Sequence, residues 1–168
     1  MVKKILVPLP VYLKKFFIHE YNGYQKKNGI DEIQVDKRSE LGRLIHLLSR
    51  PIPFTQKPAK EKTAGALSIR YYTHVQALDI DVDKLPQMAV YLDEMFRRSL
   101  IYEVRGAHEL TGCDYGPLVT AFLERRGIDR DVDVDYQTMR KVYRDYISKT
   151  NREMKKSYAW KVTKMREK

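Results

Sequence analysis

Apolar residues recur along this chain with two different periods, and the period assigns each segment. Lys3 to Leu9 is a short aliphatic and β-branched run bounded by Pro8 and Pro10, which predicts an edge strand. Pro10 suits the first position of a helix, and Tyr12, Leu13, Phe16, Phe17 and Tyr21 follow at helical spacing until Asn22 and Gly23 stop it. Glu32 to Val35 alternates and predicts a second short strand. Ser39 begins a helix with Leu41, Leu44, Ile45 and Leu48 as its stripe, ended by Pro51 and Pro53. Ile52 to Gly65, with three prolines at or beside it and the run Lys57, Lys60, Glu61 and Lys62, reads as a mobile loop. Ala66 to Ile80 reads as one strand or a hairpin.

The carboxy-terminal half changes period. Asp83 is placed to cap a helix from Lys84 to about Val104, whose broad stripe of Leu85, Met88, Val90, Leu92, Met95, Phe96 and Leu100 predicts burial on more than one side. Gly106 and Gly112 then bracket a short helix or turn. From Pro117 onward the pattern is helical except for Gly127 to Val134. The predicted fold class is α+β: a small sheet with packed helices, then a helical half ending in a basic helix or tail. The expected segments are a body over 1–112, a helix pair over 113–147 and a basic end over 148–168. A chain of 168 residues is one domain by length, or a domain with a tail.

Charge sharpens this picture. The net charge is +10, but Tyr136 to Lys168 holds 11 basic and 3 acidic residues, and Met1 to Lys27 holds 6 basic and 1 acidic. The remainder is slightly acidic, so a near-neutral body carries two basic ends. That asymmetry points to an anionic partner, and nucleic acid is the commonest one. A solvated basic tail that only aids solubility gives the same arithmetic.

The stretch Tyr115 to Tyr146 is the most informative. Leu118, Val119, Phe122 and Leu123 share one helix face, Gly127 can close that helix in the left-handed conformation, and Ile128 packs back across the turn. Asp135 caps a second helix, its carboxylate placed for the N–H groups of Gln137 and Thr138. Met139, Val142, Tyr143, Tyr146 and Ile147 form that helix's apolar stripe, opposite Gln137, Arg140, Lys141 and Arg144. A helix, a glycine-closed turn and a second basic helix resemble helix-turn-helix DNA-binding domains over these 32 residues. The resemblance implies that Gln137, Thr138, Arg140, Lys141 and Arg144 face a groove, where Gln pairs with adenine and Arg with guanine. The connection departs from the pattern, being eight residues rather than three or four, and acidic through Asp129, Asp131 and Asp133. An amphipathic helix hairpin with a solvated basic face fits the same residues. In the tail, Lys149, Arg152, Lys155, Lys156, Lys161 and Lys164 would neutralise phosphates, with Tyr158 and Trp160 among them for stacking.

Other chemistry is poorly supported. The alternating aspartates Asp79, Asp81, Asp83 and Asp129, Asp131, Asp133, Asp135 lack the glycine and glutamate of a calcium loop. His19, His46, His74 and His108 are scattered, and Cys113 is a single cysteine without a catalytic signature. No catalytic residue, metal site or cofactor is expected. No 18-residue apolar window occurs, and Lys14 and Lys15 interrupt what would otherwise begin like a signal peptide, so the expected compartment is the cytoplasm. The expectation is a non-enzymatic nucleic-acid binder, DNA favoured over RNA, with a two-fold dimer natural for such a reader and no membrane partner. Its build would suit a phage or mobile element. Two alternatives stand beside it: a basic helix docking on an acidic protein, and a metal-dependent nuclease using the aspartate clusters.

Overall fold

Alternate residues of three strands, Ile5 and Val7, Ile33 and Val35, and Leu67, Ile69 and Tyr71, are all buried, so one face of a sheet carries the core. The structure is a computed structural model and describes residues 2–25, 29–51, 65–72 and 78–166. In chain order these form β1 (Val2–Pro8), α1 (Val11–Glu20), β2 (Tyr24–Gln25), β3 (Asp31–Val35), α2 (Glu40–Leu48), β4 (Arg50–Pro51), β5 (Ala66–Tyr72), β6 (Leu78–Asp79), a short 3-10 turn (Val82–Lys84), α3 (Leu85–Thr111), α4 (Tyr115–Arg125) and α5 (Tyr136–Arg166). The main sheet has the order β1-β5-β3-β2. β1 lies antiparallel to β5 with Ile5 opposite Ile69, and β3 lies parallel to β5 with Ile33 opposite Ile69. The fold is α+β, with 62% of the described residues helical and helices dominating the carboxy-terminal half, as the sequence pattern indicated.

β5 is central, flanked on both sides, and Ala66 to Ile69 are buried without alternation, as a doubly covered strand requires. Its second face places Ser68 beside Glu32. Glu32 is fully buried; its carboxylate accepts from Tyr24 Oη at 2.7 Å and Ser68 Oγ at 3.0 Å, with the Arg70 guanidinium at 3.6 Å. A carboxylate out of water needs such partners.

The core continues into the helical half as one cluster. Phe16 of α1, Phe96 of α3 and Phe122 of α4 meet with centroid separations of 5.2, 5.8 and 6.4 Å. Arg126 seals this junction. Its guanidinium lies 3.9 Å above the Phe122 ring and bonds Glu20 of α1 at 2.9 Å and Glu103 of α3 at 2.8 Å. The aromatic and ionic contacts therefore hold the sheet-bearing part and the helical part together.

Four expectations need correction. Asp83 does not cap α3: it lies within the 3-10 turn, and Lys84 occupies the cap position, with its Nζ bonded to the Leu48 carbonyl. The preceding Asp81 instead pairs with Arg50 of β4. α3 does not end near Val104. It passes through Gly106 and stops at Gly112, whose φ of +64° supplies the left-handed cap. Ala66 to Ile80 is not one strand or a simple hairpin, because β5 ends at Tyr72 and Leu78–Asp79 pairs with Arg50–Pro51 in a separate two-stranded ladder. α4 starts two residues before Pro117, at Tyr115. The expected loop Ile52 to Gly65 lies outside the described residues, Gly65 excepted. Among the described residues no helix is long and apolar enough to cross a membrane.

Candidate nucleic-acid interface

Helix α4 closes as its sequence demands. Gly127 has φ +62°, its N–H bonds the Glu124 carbonyl, and the Ile128 N–H reaches the Leu123 carbonyl, both at 3.0 Å. This six-to-one and five-to-two pair satisfies two carbonyls at the helix end, and Ile128 is buried across the turn.

The acidic connector that follows is internally bonded. Asp131 adopts φ +62°, its N–H bonds the Val134 carbonyl at 2.8 Å, and its carboxylate accepts from the Tyr136 N–H at 3.2 Å. Lys15 of α1 bonds the carboxylates of both Asp129 and Asp133. Burial alone would raise the Asp133 carboxyl, but Lys15 and the Asp129 N–H outweigh it and hold it below the usual range. The same contacts hold the Lys15 ammonium above its ordinary value. Asp135 caps α5, accepting from the Thr138 N–H at 2.8 Å and from its hydroxyl, and these bonds lower its carboxyl too. Among the described residues no group of three or more His, Cys, Asp or Glu is placed to hold a metal ion.

α5 is a single helix of 31 residues, about 46 Å long at 1.5 Å per residue. Its inner face packs with Met139 and Tyr143 buried and Val142, Tyr146 and Ile147 half-buried. Tyr143 Oη lies 3.1 Å from His108 Nδ1, and Arg105 donates to Tyr146 Oη at 3.0 Å, which seats α5 along the second half of α3. Packing ends at Thr150. Every residue from Asn151 to Tyr158 is exposed, although the helix runs on unbroken to Arg166. The 16 residues from 151 to 166 carry six basic residues and one acidic, a net +5.

The outer face of α5 gathers most of the sequence-derived candidates. Gln137, Lys141, Arg144, Ser148, Arg152 and Lys155 recur every three or four residues on the side opposite Tyr143, all exposed. Thr138, Lys149 and Lys156 flank that ridge and are also exposed, the Thr138 hydroxyl being committed to the cap. Arg144 lies 3.8 Å from its neighbour Asp145; the other cations of the ridge have no ion pair among the described residues. Lys161 and Lys164 belong to the same helix, where the backbone alone is described.

Arg140 is placed differently. It is half-buried in the α4–α5 seam, its guanidinium 5.4 Å from the centroid of Tyr115 and its Nε buried without a hydrogen bond among the described residues. Tyr136 closes the same seam by donating to the Gly116 carbonyl at 3.0 Å. A β-carbon on Gly116 would stand 3.2 Å from Asp114 Oδ2 and 3.3 Å from that phenol, so a side chain here would crowd the seam slightly. Helical spacing could not separate Arg140 from its neighbours, because the deviation comes from the width of the helix contact rather than from the period.

Sequence reasoning missed a second basic surface. The β3–α2 turn and the start of α2 expose Lys37, Arg38 and Arg43, none with an ion pair among the described residues, around a hollow of about 990 Å³. The signal was present as KRSELGR, but it sits in a region whose total charge is slightly acidic and was averaged away.

No protein-family model, no curated protein and no solved structure matches this chain.

Proposed function

We propose that this chain is a non-enzymatic nucleic-acid-binding protein that engages duplex DNA through the outer ridge of α5 and its projecting end. The observation that carries the reading is the continuation of α5 past Thr150, with net +5 charge over residues 151–166 and every residue from Asn151 to Tyr158 exposed. An isolated helix of 16 residues is marginal in water. A row of cations along such a helix suits a polyanion, which supplies both counter-charge and surface. A B-form major groove is wide enough for an α-helix, whereas the A-form major groove is deep and narrow, so the shape of α5 favours DNA over RNA. The order of contacts differs from that of a recognition helix read from its amino terminus. Asp131 and Asp135 stand exposed at the start of α5, and the charge grows favourable from Lys141 onward. Gln137 is the ridge residue closest to those acids.

The test is fluorescence anisotropy of a labelled mixed-sequence duplex with the full chain and with a triple variant carrying Arg152→Glu, Lys155→Glu and Lys156→Glu. Loss of tenfold or more in affinity is expected. Equal affinity of the two proteins would sink the proposal.

A second reading rests on Met154 and Tyr158, which are 56% and 72% exposed on the projecting end. Those residues suit an acidic protein partner that lays an apolar surface against the helix. It would be favoured if Met154→Ser and Tyr158→Ser together abolished a protein complex while leaving DNA affinity unchanged.

A further inference from the structure

We infer that the trough running from the carboxyl ends of β3 and β5 into the cleft between α2 and α3 is a separate site for single-stranded nucleic acid, with a phosphate against Lys37, Arg38 and Arg43 and a base against Tyr91.

The trough consists of two hollows that share Arg38 and Arg43 as a common wall. One, of about 990 Å³, opens where the parallel strands β3 and β5 end, at Val35 and Tyr72. The other, of about 640 Å³, lies between α2 and α3 and is floored by Leu44, Leu47, Tyr91 and Met95. The carboxyl ends of parallel strands joined through a helix are a recurrent ligand position in α/β sheets, because the connecting helix points its amino terminus there.

The charges are arranged to leave cations free. Glu40 is engaged by Arg98 at 2.7 Å, and Asp36 turns into its own loop, accepting from the Arg38 N–H at 2.6 Å. Lys37, Arg38 and Arg43 remain without ion pairs among the described residues, whereas the single unengaged carboxylate, Glu94, stands at the apolar end. Lys37 and Arg38 immediately precede the cap residue Ser39, and Arg43 follows one turn later. Cations at the positive end of a helix are unfavourable by themselves and become favourable when an anion sits among them.

The apolar end accounts for the other half of the ligand. Leu47 is 79% exposed and Tyr91 39% exposed, and both line one hollow with Leu44 and Met95. A phosphate flanked by an aromatic ring is the pairing that backbone-tracking on single strands uses, and the ring accepts any base. The combined volume exceeds the span of one nucleotide and suits a continuing strand.

The site is independent of the α5 reading. It borders α3 from Tyr91 to Arg98, whereas α5 packs against Arg105 and His108, roughly 10 Å further along that helix.

The experiment titrates the full chain into a fluorescein-labelled ten-residue oligothymidylate and, separately, into a labelled duplex. The Arg38→Glu and Arg43→Glu double variant is expected to lose at least tenfold in affinity for the single strand and to keep its duplex affinity; Tyr91→Ala should lose about fivefold. The α5 triple variant should show the reverse pattern. Circular dichroism and thermal melting confirm that each variant is folded. The inference is overturned if the wild-type chain does not bind the oligothymidylate, or if the double variant binds it as tightly. Competition by thymidine monophosphate at micromolar concentration would also overturn it, since the site would then take free nucleotide. Failure of duplex binding alone would remove the α5 proposal and leave this one standing.

Discussion

Single residues decide where this fold is tight and where it is wasteful. A β-carbon on Gly42 would stand 2.1 Å from the Asp36 carbonyl oxygen and 2.9 Å from the Lys37 backbone, so α2 can lie on the β3–α2 turn only because no side chain intervenes. Gly42→Ala forces backbone to move and is expected to cost about 1–3 kcal/mol, as overpacking does. At roughly 3 °C per kcal/mol for a chain of this length, thermal melting would show a drop of several degrees. Tyr71 is the opposite case. It is 1% exposed, its hydroxyl makes no hydrogen bond among the described residues, and burial pushes the phenol's pKa up. Tyr71→Phe removes a desolvated polar group at little loss of volume, so its melting temperature should equal or exceed that of the wild type. A clear decrease would mean that the hydroxyl has a partner.

The Lys15 pair sets a pH dependence whose sign follows from its shifts. Asp133 is held low, so its contribution is present above the unfolded value of about 3.9 and is lost as pH falls through the lower folded value. Lys15 is held high, so its contribution is present below about 10.4 and is lost as pH rises through the higher folded value. The stability gap between wild type and Lys15→Met should therefore be widest and flat between these limits and close at both ends. Denaturant unfolding across pH 3 to 11 measures it, and a gap that does not change with pH would exclude the pair as its source.

At the scale of elements, α5 divides functionally where its packing stops. A chain ending after Thr150 loses only the projecting part and should melt within a few degrees of the full protein. One ending at Val134 loses Met139 and Tyr143, which are 2% and 1% exposed, and large core truncations of that kind cost several kcal/mol each. That shorter chain is expected to lose its cooperative transition; if it melts like the full protein, α5 is not part of the core. Much of this was legible in the sequence. The apolar stripes of α1, α2, α4 and α5, the Asp135 cap and the Gly127 closure were all readable, because each is fixed by residues within one or two turns. What escaped were long-range facts. Leu78 and Asp79 look like a continuation of the Ala66 strand, but their partner is Arg50–Pro51, and nothing local reports that pairing. Gly106 signals a break, yet the helix runs through it, held before it by the buried Leu100 and Val104 and after it by the contact of His108 with Tyr143. Arg140 shares the spacing of Lys141 and Arg144 and differs only through the approach of α4.

For the whole molecule, the two basic ends are unequal. Lys15, near the first end, is bound to Asp129 and Asp133, so the acidic connector neutralises part of that end and stands beside the start of α5. The second end points away from these acids, and its cations from Lys149 to Lys156 have no ion pairs among the described residues. Net charge therefore gains a direction from the fold, rising along α5 from an acidic base to a basic tip. A polyanion approaching the tip meets attraction over several turns of helix, which speeds encounter and makes affinity salt-dependent.

The most direct measurement is the salt dependence of duplex affinity for the full chain, from 50 to 300 mM potassium chloride. Four to six phosphates neutralised by the α5 cations give an expected log–log slope between about −3.6 and −5.4, at −0.9 per contact. The triple charge-reversal variant of the projecting end should bind more weakly and with a slope shallower by about 2 to 3. A slope near zero, or a slope unchanged in the variant, would contradict the assignment of α5 as the nucleic-acid-binding element.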